Sequence, residues 1–160
     1  MLARLDPTDI TLLTVLQTEG RISNAELAER IGLSASACLR RVQRLESEGV
    51  IAGYAALVDG KRIGLGLEAF VRVQLRDHSS AVVDAFVARV QHWEDVIACH
   101  ALTGEMDYLL HVMVEDLEHF SRFLLDRLLN DAGVADVNSS FVLREIKPRR
   151  ALPLAHLAGT

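Results

Sequence analysis

The chain has 160 residues, half of them apolar, and a formal net charge of −5 at pH 7. This length suits one or two small domains, and the composition provides enough apolar residues for a sizeable core. No apolar run approaches the roughly 20 residues that cross a bilayer, and no leader pattern occurs, so we expect a soluble cytoplasmic protein. Cys38 and Cys99 are too few for a disulfide framework, and we expect both thiols to be reduced and buried.

Charge is distributed unevenly along the chain. Residues 1–62 balance acidic against basic side chains, so residues 63–160 carry the whole deficit. Within the balanced part, residues 33–45 contain three arginines and no acid. The total charge argues neither for nor against a polyanionic partner, whereas this local excess weakly favours one.

Capping signals and apolar periodicity divide the first 50 residues into three predicted helices. Each begins at a residue that suits a helix N-terminus and ends at a glycine. The starts are Asp6 with Pro7, Ser23 with Glu26 in a capping box, and Ser34, and the stops are Gly20, Gly32 and Gly49. The predicted buried stripes are Ile10, Leu12, Leu13 and Leu16, then Leu27, Ala28 and Ile31, then Cys38, Val42 and Leu45.

Two short helices joined by a tight glycine turn, after a supporting helix, make a helix-turn-helix. The segment "VIAGYAALVD" that follows predicts a short β pair, the wing, through Val50, Ile51 and Tyr54. We therefore assign residues 1–60 to a winged helix-turn-helix domain and the glycine-rich residues 61–66 to a linker.

Residues 67–160 alternate between strand and helix patterns and end in a tail. Strands are predicted in "LEAFVRVQLR", "VIACHAL", "YLLHVMVE" and "GVADVNSSFVLREIK", and helices in "SSAVVDAFVARVQHW" and "DLEHFSRFLLDRLLND". This βαββαβ order describes an α+β, ferredoxin-like sandwich with both helices on one face of an antiparallel sheet. The other face lacks a clean polar side, so we expect this domain to associate with a second copy. The predicted inward helix positions are Val83, Phe86, Val87 and Val90, then Leu117, Phe120, Leu124 and Leu128.

Three segments resemble, in this order and spacing, the Lrp/AsnC family of transcription regulators, also called feast/famine regulators. They are "LDPTDITLLTVLQTEGRISNAELAERIGLSASACLRRVQRLESEGVIAGYAALVD", "HALTGEMDYLLHV" and "GVADVNSSFVLREIK". The resemblance implies an N-terminal winged helix-turn-helix on double-stranded DNA and a C-terminal RAM domain that dimerises and binds a small amino acid. It also implies homodimers, tetramers or octamers whose assembly the ligand changes.

The third helix is the predicted DNA-reading element. Small residues at its start let the backbone approach the floor of the major groove, where recognition helices read bases from their N-terminal turns. Serine hydroxyls and helix amides can donate to phosphates, and arginine can bond guanine bidentately or hold a phosphate. The alternative is a solvated face on which Arg44 pairs with Glu48. Lys61 and Arg62 either contact phosphate or are solvated. The predicted DNA-binding residues are Ser36, Ala37 and Arg40 for bases, and Ser34, Arg41 and Arg44 for the backbone.

A free amino acid presents an ammonium, a carboxylate and a side chain. Its site therefore needs an acid, amide or hydroxyl donors, and an apolar pocket. The turn "LTGEMDYLL" contains these parts, and the family resemblance implies a ligand between dimers around this turn, aided by the last strand. The alternative is a hairpin turn that only satisfies its own backbone. The implied effector-binding residues are Thr103, Gly104, Glu105, Met106 and Asp107, with Ser139, Ser140 and Phe141.

No catalytic residue, metal site or cofactor is predicted, because histidine and cysteine spacings match no metal-ligand pattern and no nucleophile or phosphate motif occurs. Asp126 and Asp131 are predicted to lie on a helix surface. Two alternative functions remain open. One is a tetrapyrrole-pathway decarboxylase, since some haem-pathway enzymes resemble this architecture and would use His100 or His111. The other is an architectural DNA-binding protein without an effector.

Overall fold

The computed structural model describes residues 4–148 and 151–157; residues 1–3, 149–150 and 158–160 of the predicted domains lie outside the described residues. The described chain forms two compact units. The first comprises the described residues of Met1–Leu57 and Lys147–Thr160, and the second comprises Val58–Ile146. Within the described residues, no helix is both long and apolar enough to cross a membrane.

Three helices build the first unit, namely α1 (Pro7–Thr18), α2 (Asn24–Ile31) and α3 (Ala35–Ser47). Their predicted caps are confirmed, because Asp6, Ser23 and Ser34 each accept a hydrogen bond from the backbone N–H three residues further on. Gly32 ends α2 at φ 71°, a left-handed conformation that favours glycine. The buried side chains of the three helices form one core of Leu12, Leu13, Leu27, Ala28, Cys38 and Leu45.

The β pair predicted through Val50, Ile51 and Tyr54 is wrong. The N–H groups of Val50 and Ile51 both donate to the Leu45 carbonyl and close the end of α3. The backbone of residues 52–58 then forms no strand within the part of the chain that the structure describes. A β pair needs a second backbone segment in register, and here the chain passes into the second unit instead.

The tail packs on the first unit rather than on the second domain, where the sequence placed it. Gln17 of α1 binds the Leu152 backbone in both directions: its Oε1 accepts the N–H at 2.6 Å and its Nε2 donates to the carbonyl at 3.3 Å. Leu154 packs against the core of α1, α2 and α3. Gln17 and Leu152 are 135 residues apart, so no local pattern reveals their contact.

The second unit alternates strands and helices: β1 (Leu67–Leu75), α4 (Ser80–Val90), β2 (Val96–Ala101), β3 (Tyr108–Val114), α5 (Leu117–Arg122) and β4 (Val134–Phe141). Its strands form one antiparallel sheet in the order β2-β3-β1-β4, which confirms the ferredoxin-like topology. Alternate residues of β1 and β3 are buried on one sheet face together with side chains of both helices. Cys99 lies on the edge strand β2 and is exposed, so the prediction of two buried thiols is wrong for it.

Helix α5 does not keep the regular period that the sequence suggests. It continues as a π-helical turn over Phe123–Leu128, which widens the helix by about one residue per turn. Phe120, Phe123 and Leu128 are buried, the last two at the five-residue spacing of a π-helix, whereas Leu117, predicted to point inward, is 58% exposed. In α4, Phe86 and Val90 are buried as predicted.

Asp131, predicted as helix surface, is buried and paired. Arg89 of α4 donates to both of its carboxylate oxygens, at 2.6 and 2.8 Å. The Gly133 N–H donates to Asp131 Oδ1 at 2.9 Å. This carboxylate therefore ties α4 to the start of β4.

Replacing Asp131 with alanine should lower the free energy of unfolding by about 2 kcal/mol, because Arg89 loses a charged partner and the Gly133 N–H loses its acceptor. Urea unfolding at one protein concentration measures the change. Asp126→Ala removes an exposed acid from the same region and should change stability by less than about 0.5 kcal/mol. Equal effects of the two substitutions would contradict the structural role of the Arg89–Asp131 pair.

Candidate DNA interface and effector turn

The N-terminal turns of α3 present small polar groups to solvent. Ser34 Oγ accepts the Ala37 N–H at 3.3 Å and lies 3.3 Å from Ser36 Oγ. Ser34 and Ser36 are exposed, and Ala37 is half-buried. Asn24 of α2 donates to the Ala35 carbonyl at 2.9 Å and holds the start of α3 against the preceding helix. The predicted small-residue start of the reading helix is therefore open to a large partner.

The three arginines of α3 have different environments. Arg40 is exposed and forms an ion pair with no residue that the structure describes. Arg41 Nη1 lies 2.7 Å from Asp6 Oδ2 and 2.7 Å from Asp9 Oδ1, and Arg44 Nη2 lies 2.6 Å from Asp9 Oδ2. Two of the three arginines are therefore paired with Asp6 or Asp9, which leaves Arg40 as the unpaired one within the described chain. Among the described residues, Arg44 forms its ion pair with Asp9 and not with Glu48, the partner that the alternative predicted.

Helix geometry explains the difference between Arg40 and Arg41. At about 100° per residue, Arg41 lies roughly 60° from the buried Cys38, whereas Arg40 lies roughly 160° from it. Arg41 therefore projects along the flank that faces α1, where the two acids are. The sequence shows no acid within residues 33–45, but it does not show that α1 brings acids to this flank.

These contacts shift the pKa values of Asp6, Arg41 and Arg44. The Asp9 N–H and, after it, Arg41 lower the pKa of Asp6. The Asp6 and Asp9 carboxylates raise the pKa of Arg41, and Asp9 raises that of Arg44. Since the folded pKa of Asp6 is depressed, its stabilising contribution is present above its unfolded pKa and is lost as the pH falls through the folded value.

Two outward residues of α3 escaped the sequence analysis. Leu39 is 44% exposed and Gln43 is exposed, and both share the outward face with Ser36 and Arg40 at helical spacing. Leu39 and Gln43 each lie three positions after one of those two residues, a spacing that is visible in the sequence. The predicted DNA-binding residues, however, included only small and charged side chains. In the linker, Arg62 Nε lies 3.4 Å from Asp59 Oδ2, so one of the two linker cations has an acidic neighbour.

The second candidate site is the turn between β2 and β3. The Leu102 N–H donates to the Asp107 carbonyl at 2.7 Å and closes the turn. Gly104 has φ 117°, a conformation that side chains rarely adopt. Thr103, Gly104 and Glu105 are exposed and Met106 is half-buried. The turn therefore presents backbone amides, a hydroxyl and an acid together.

Asp107 is held by neighbouring elements. The Leu75 N–H donates to Oδ2 at 2.7 Å, and His78 Nε2 lies 2.7 Å from Oδ1. The Leu75 N–H, followed by His78, holds the pKa of the Asp107 carboxyl below its usual range, so the group is ionised at neutral pH. Asp107 thus accepts a hydrogen bond from the backbone, the role that the alternative of a purely structural turn gives it. Its other oxygen contacts His78, whose side chain is 68% exposed, so this oxygen lies near solvent. His78 lies 29 residues from Asp107 along the chain, so no local sequence pattern connects the two.

The structure does not bring the predicted residues of β4 to this turn within one subunit. Ser139, Ser140 and Phe141 pair with Val71, Phe70 and Ala69, whereas the turn adjoins the other end of β1. Opposite residues of an antiparallel pair share a sheet face, so Ser139 and Phe141 lie on the helix-covered face and Ser140 on the open face. Phe141 contacts Phe120 edge-to-face, with ring centroids 5.0 Å apart.

Two clefts of the second unit lie away from the predicted residues. One of about 400 Å³ lies beside Arg89 and Asp131, and one of about 250 Å³ lies beside Asp95 and His119. Neither is lined by residues 102–107 of the turn between β2 and β3, by His100 or by His111. Among the described residues, no three histidine, cysteine or acidic side chains form a group that could hold a metal ion.

Two family profiles match the chain. A winged helix-turn-helix DNA-binding profile matches residues 5–52, and the Lrp/AsnC ligand binding domain matches residues 68–152. Together they define a DNA-binding transcriptional regulator that carries a ligand-binding domain. The chain belongs to the Lrp/AsnC family.

Known relatives agree with this assignment. The leucine-responsive regulatory protein of Rhizobium meliloti (strain 1021) is 42% identical over 143 residues, which are 89% of this chain and 92% of that protein. The Escherichia coli K12 protein of the same name is 39% identical over 148 residues, or 92% of this chain and 90% of its own length.

Solved structures show the same architecture. A transcriptional regulator from Neisseria meningitidis, crystallised with L-Met, has a TM-score of 0.92 at 50% identity and covers 96% of this chain and 99% of its own. An AsnC family transcriptional regulator from Agrobacterium tumefaciens has a TM-score of 0.89 at 32% identity, covering 95% and 99%.

Proposed function

We propose that this regulator reads the major groove of double-stranded DNA with the first turns of α3 and responds to a small free amino acid. The observation that carries the proposal is that α3 exposes its N-terminal turns and Arg40, while its other two arginines are neutralised. Ser36, Ala37 and Arg40 would contact bases, and the Ser34 hydroxyl would contact phosphate. Such a regulator acts where the DNA is, in the cytoplasm.

The effector turn offers both halves of an amino-acid site. Among the described residues, the N–H groups of Thr103, Gly104 and Glu105 donate to no acceptor, so they can receive a carboxylate. The Glu105 and Asp107 carboxylates can receive an ammonium. The L-Met complex of the Neisseria relative and the name of the leucine-responsive relatives support an effector with an apolar side chain.

Self-association completes the proposed mechanism. On the open sheet face, Phe70 stacks on His111 with ring centroids 4.5 Å apart, and Phe70 remains 37% exposed. A second copy covering this face would bury it and would place two α3 helices on two half-sites. Higher assembly into tetramers or octamers would bring Ser139, Ser140 and Phe141 of one subunit toward the turn of another. The effector would then act by binding the alternative assemblies with different affinities.

The test uses the purified wild-type protein. Duplexes selected from a randomised pool define an operator, and its affinity is measured with each of the twenty amino acids. An effector at 100 times its Kd stabilises the protein by about 2.7 kcal/mol, which raises the midpoint of thermal unfolding by roughly 5–10 °C. It should also change operator affinity or the assembly seen by sedimentation.

Two outcomes would redirect the proposal. If no duplex binds even in dilute salt, α3 is not a DNA-reading helix. If DNA binds but no amino acid changes affinity, assembly or thermal midpoint, the architectural alternative is favoured. The decarboxylase alternative has less support, because the relatives that match nearly the whole chain are named as regulators.

A further inference from the structure

Asp9 is an unusual residue in the core of the first unit. Its side chain is 0% exposed, yet it carries a carboxylate. Its Oδ2 accepts the Asp6 N–H at 3.0 Å as part of the α1 capping box. A buried carboxylate is strongly unfavourable unless charged or hydrogen-bonding partners surround it. The capping bond alone leaves most of this carboxylate unsatisfied.

The remaining partners all come from α3. Arg41 donates to Oδ1 at 2.7 Å and Arg44 donates to Oδ2 at 2.6 Å, so the two oxygens of one carboxylate bind two successive turns of the reading helix. Asp6 adds a second acceptor for Arg41 at 2.7 Å. Charge-assisted hydrogen bonds are directional, whereas the apolar contacts of α3 are not. The carboxylate therefore restricts rotation of α3 about its own axis.

The same contacts keep the two arginines from phosphate. Arg41 and Arg44 are only 30% and 40% exposed, and a move toward DNA would leave the Asp9 charge buried without a partner. Arg40, which precedes Arg44 by about one helical turn, has no acidic partner within the described chain and therefore no such restraint. The three neighbouring arginines thus divide into one unpaired residue and two that are paired with acids near or in α1.

We propose that Asp9 is a positioning residue for DNA recognition, which holds Arg41 and Arg44 so that α3 directs Ser36 and Arg40 outward. This inference rests on the proposed role of α3 in reading DNA. It assigns Arg41 and Arg44 to the orientation of the helix and not to the DNA backbone.

The test compares Arg44→Met and Arg41→Met with Arg40→Met. Each of the first two leaves Asp9 one arginine partner, so the unit keeps a paired carboxylate. Affinity for the selected operator and for an unrelated duplex is measured across a salt series. Each lost phosphate contact lowers the slope of log K against log salt by about 0.9 per subunit. A shifted helix instead weakens only the specific complex.

For Arg44→Met and Arg41→Met we expect operator affinity to fall by roughly 2- to 30-fold, as for other residues that act through a network. The salt slope and the affinity for the unrelated duplex should stay unchanged, so the specificity ratio falls by the same factor. A reduced slope with equal loss on both duplexes would show phosphate contact and overturn the proposal. An unchanged ratio of operator affinity to unrelated-duplex affinity would also overturn the proposal. Such a result would mean that both affinities fell by the same factor, as they do when part of the protein is unfolded.

A triple variant, Asp9→Asn with Arg41→Met and Arg44→Met, covers the case in which a single variant unfolds. It removes all three charges together and keeps an acceptor for the Asp6 N–H, a change that buried ion clusters often tolerate. It should fold and show the reduced specificity ratio, and wild-type specificity would overturn the proposal. If instead the wild-type protein binds no duplex, or Arg40→Met changes nothing, the proposed reading role of α3 fails first.

Discussion

Replacing Arg40 with alanine should lower the affinity of the dimer for its operator by roughly 30- to 10⁴-fold. A bidentate arginine–guanine contact discriminates by about 1–3 kcal/mol, and a symmetric dimer loses two of them, or about 2–6 kcal/mol. Arg40 is the arginine of α3 that is exposed and has no acidic partner within the described chain. Fluorescence anisotropy on the selected operator and on single-base variants measures the loss.

The pattern of the loss distinguishes base contact from phosphate contact. If Arg40 reads a guanine, the variant should lose discrimination at one base pair in each half-site. If it holds a phosphate, affinity should fall evenly across sequences, and the salt slope should decrease by about 0.9 per subunit. Arg122→Ala, which removes an exposed arginine paired with Glu118 in the other unit, is the control for net charge. Operator binding equal to that of wild type in Arg40→Ala would contradict the proposed interface.

Replacing Asp107 with asparagine should weaken effector binding by roughly 10- to 150-fold, because hydrogen bonds to charged groups contribute about 1.5–3 kcal/mol. Asparagine keeps an oxygen for the Leu75 N–H, so the turn is preserved better than by alanine. DNA affinity without effector should stay unchanged, since the turn lies in the unit that does not contain α3. Isothermal calorimetry with the effector identified by the amino-acid screen provides the measurement.

Two further variants separate the roles around Asp107. His78→Ala frees Oδ1 from its imidazole neighbour and should leave effector binding equal or tighter, because the ammonium no longer displaces a partner. Glu105→Gln tests the exposed acid of the turn, which has no bonded partner among the described residues. A full effector response in both Asp107→Asn and Glu105→Gln would show that the ammonium binds elsewhere.

The amino-acid sequence by itself determined the local structure of this protein. The capping residues Asp6, Ser23 and Ser34 and the left-handed Gly32 fix three helices, because each acts on backbone groups within four residues of itself. Apolar alternation places the strands, since side chains in a strand point to opposite faces with a period of two. The order of these elements then leaves few ways to close a sheet, so the ferredoxin-like topology could also be predicted.

Only the tertiary structure decided which charged groups are free. The side-chain partners of Arg41, Asp107 and Asp131 lie 29 or more residues away along the chain, and no helical or strand period connects them. The sequence therefore predicted three arginines that contact DNA, a turn acid and a surface acid, where the fold has one unpaired arginine and two buried or half-buried carboxylates. No local pattern predicted the contact of Gln17 with Leu152, which is 135 residues away, or the π-helical turn at Phe123–Leu128. Local periodicity shows which residues are apolar. A buried charge is instead stabilised by whichever partner the folded chain brings within about 3 Å of it, and local periodicity does not show which residue that is.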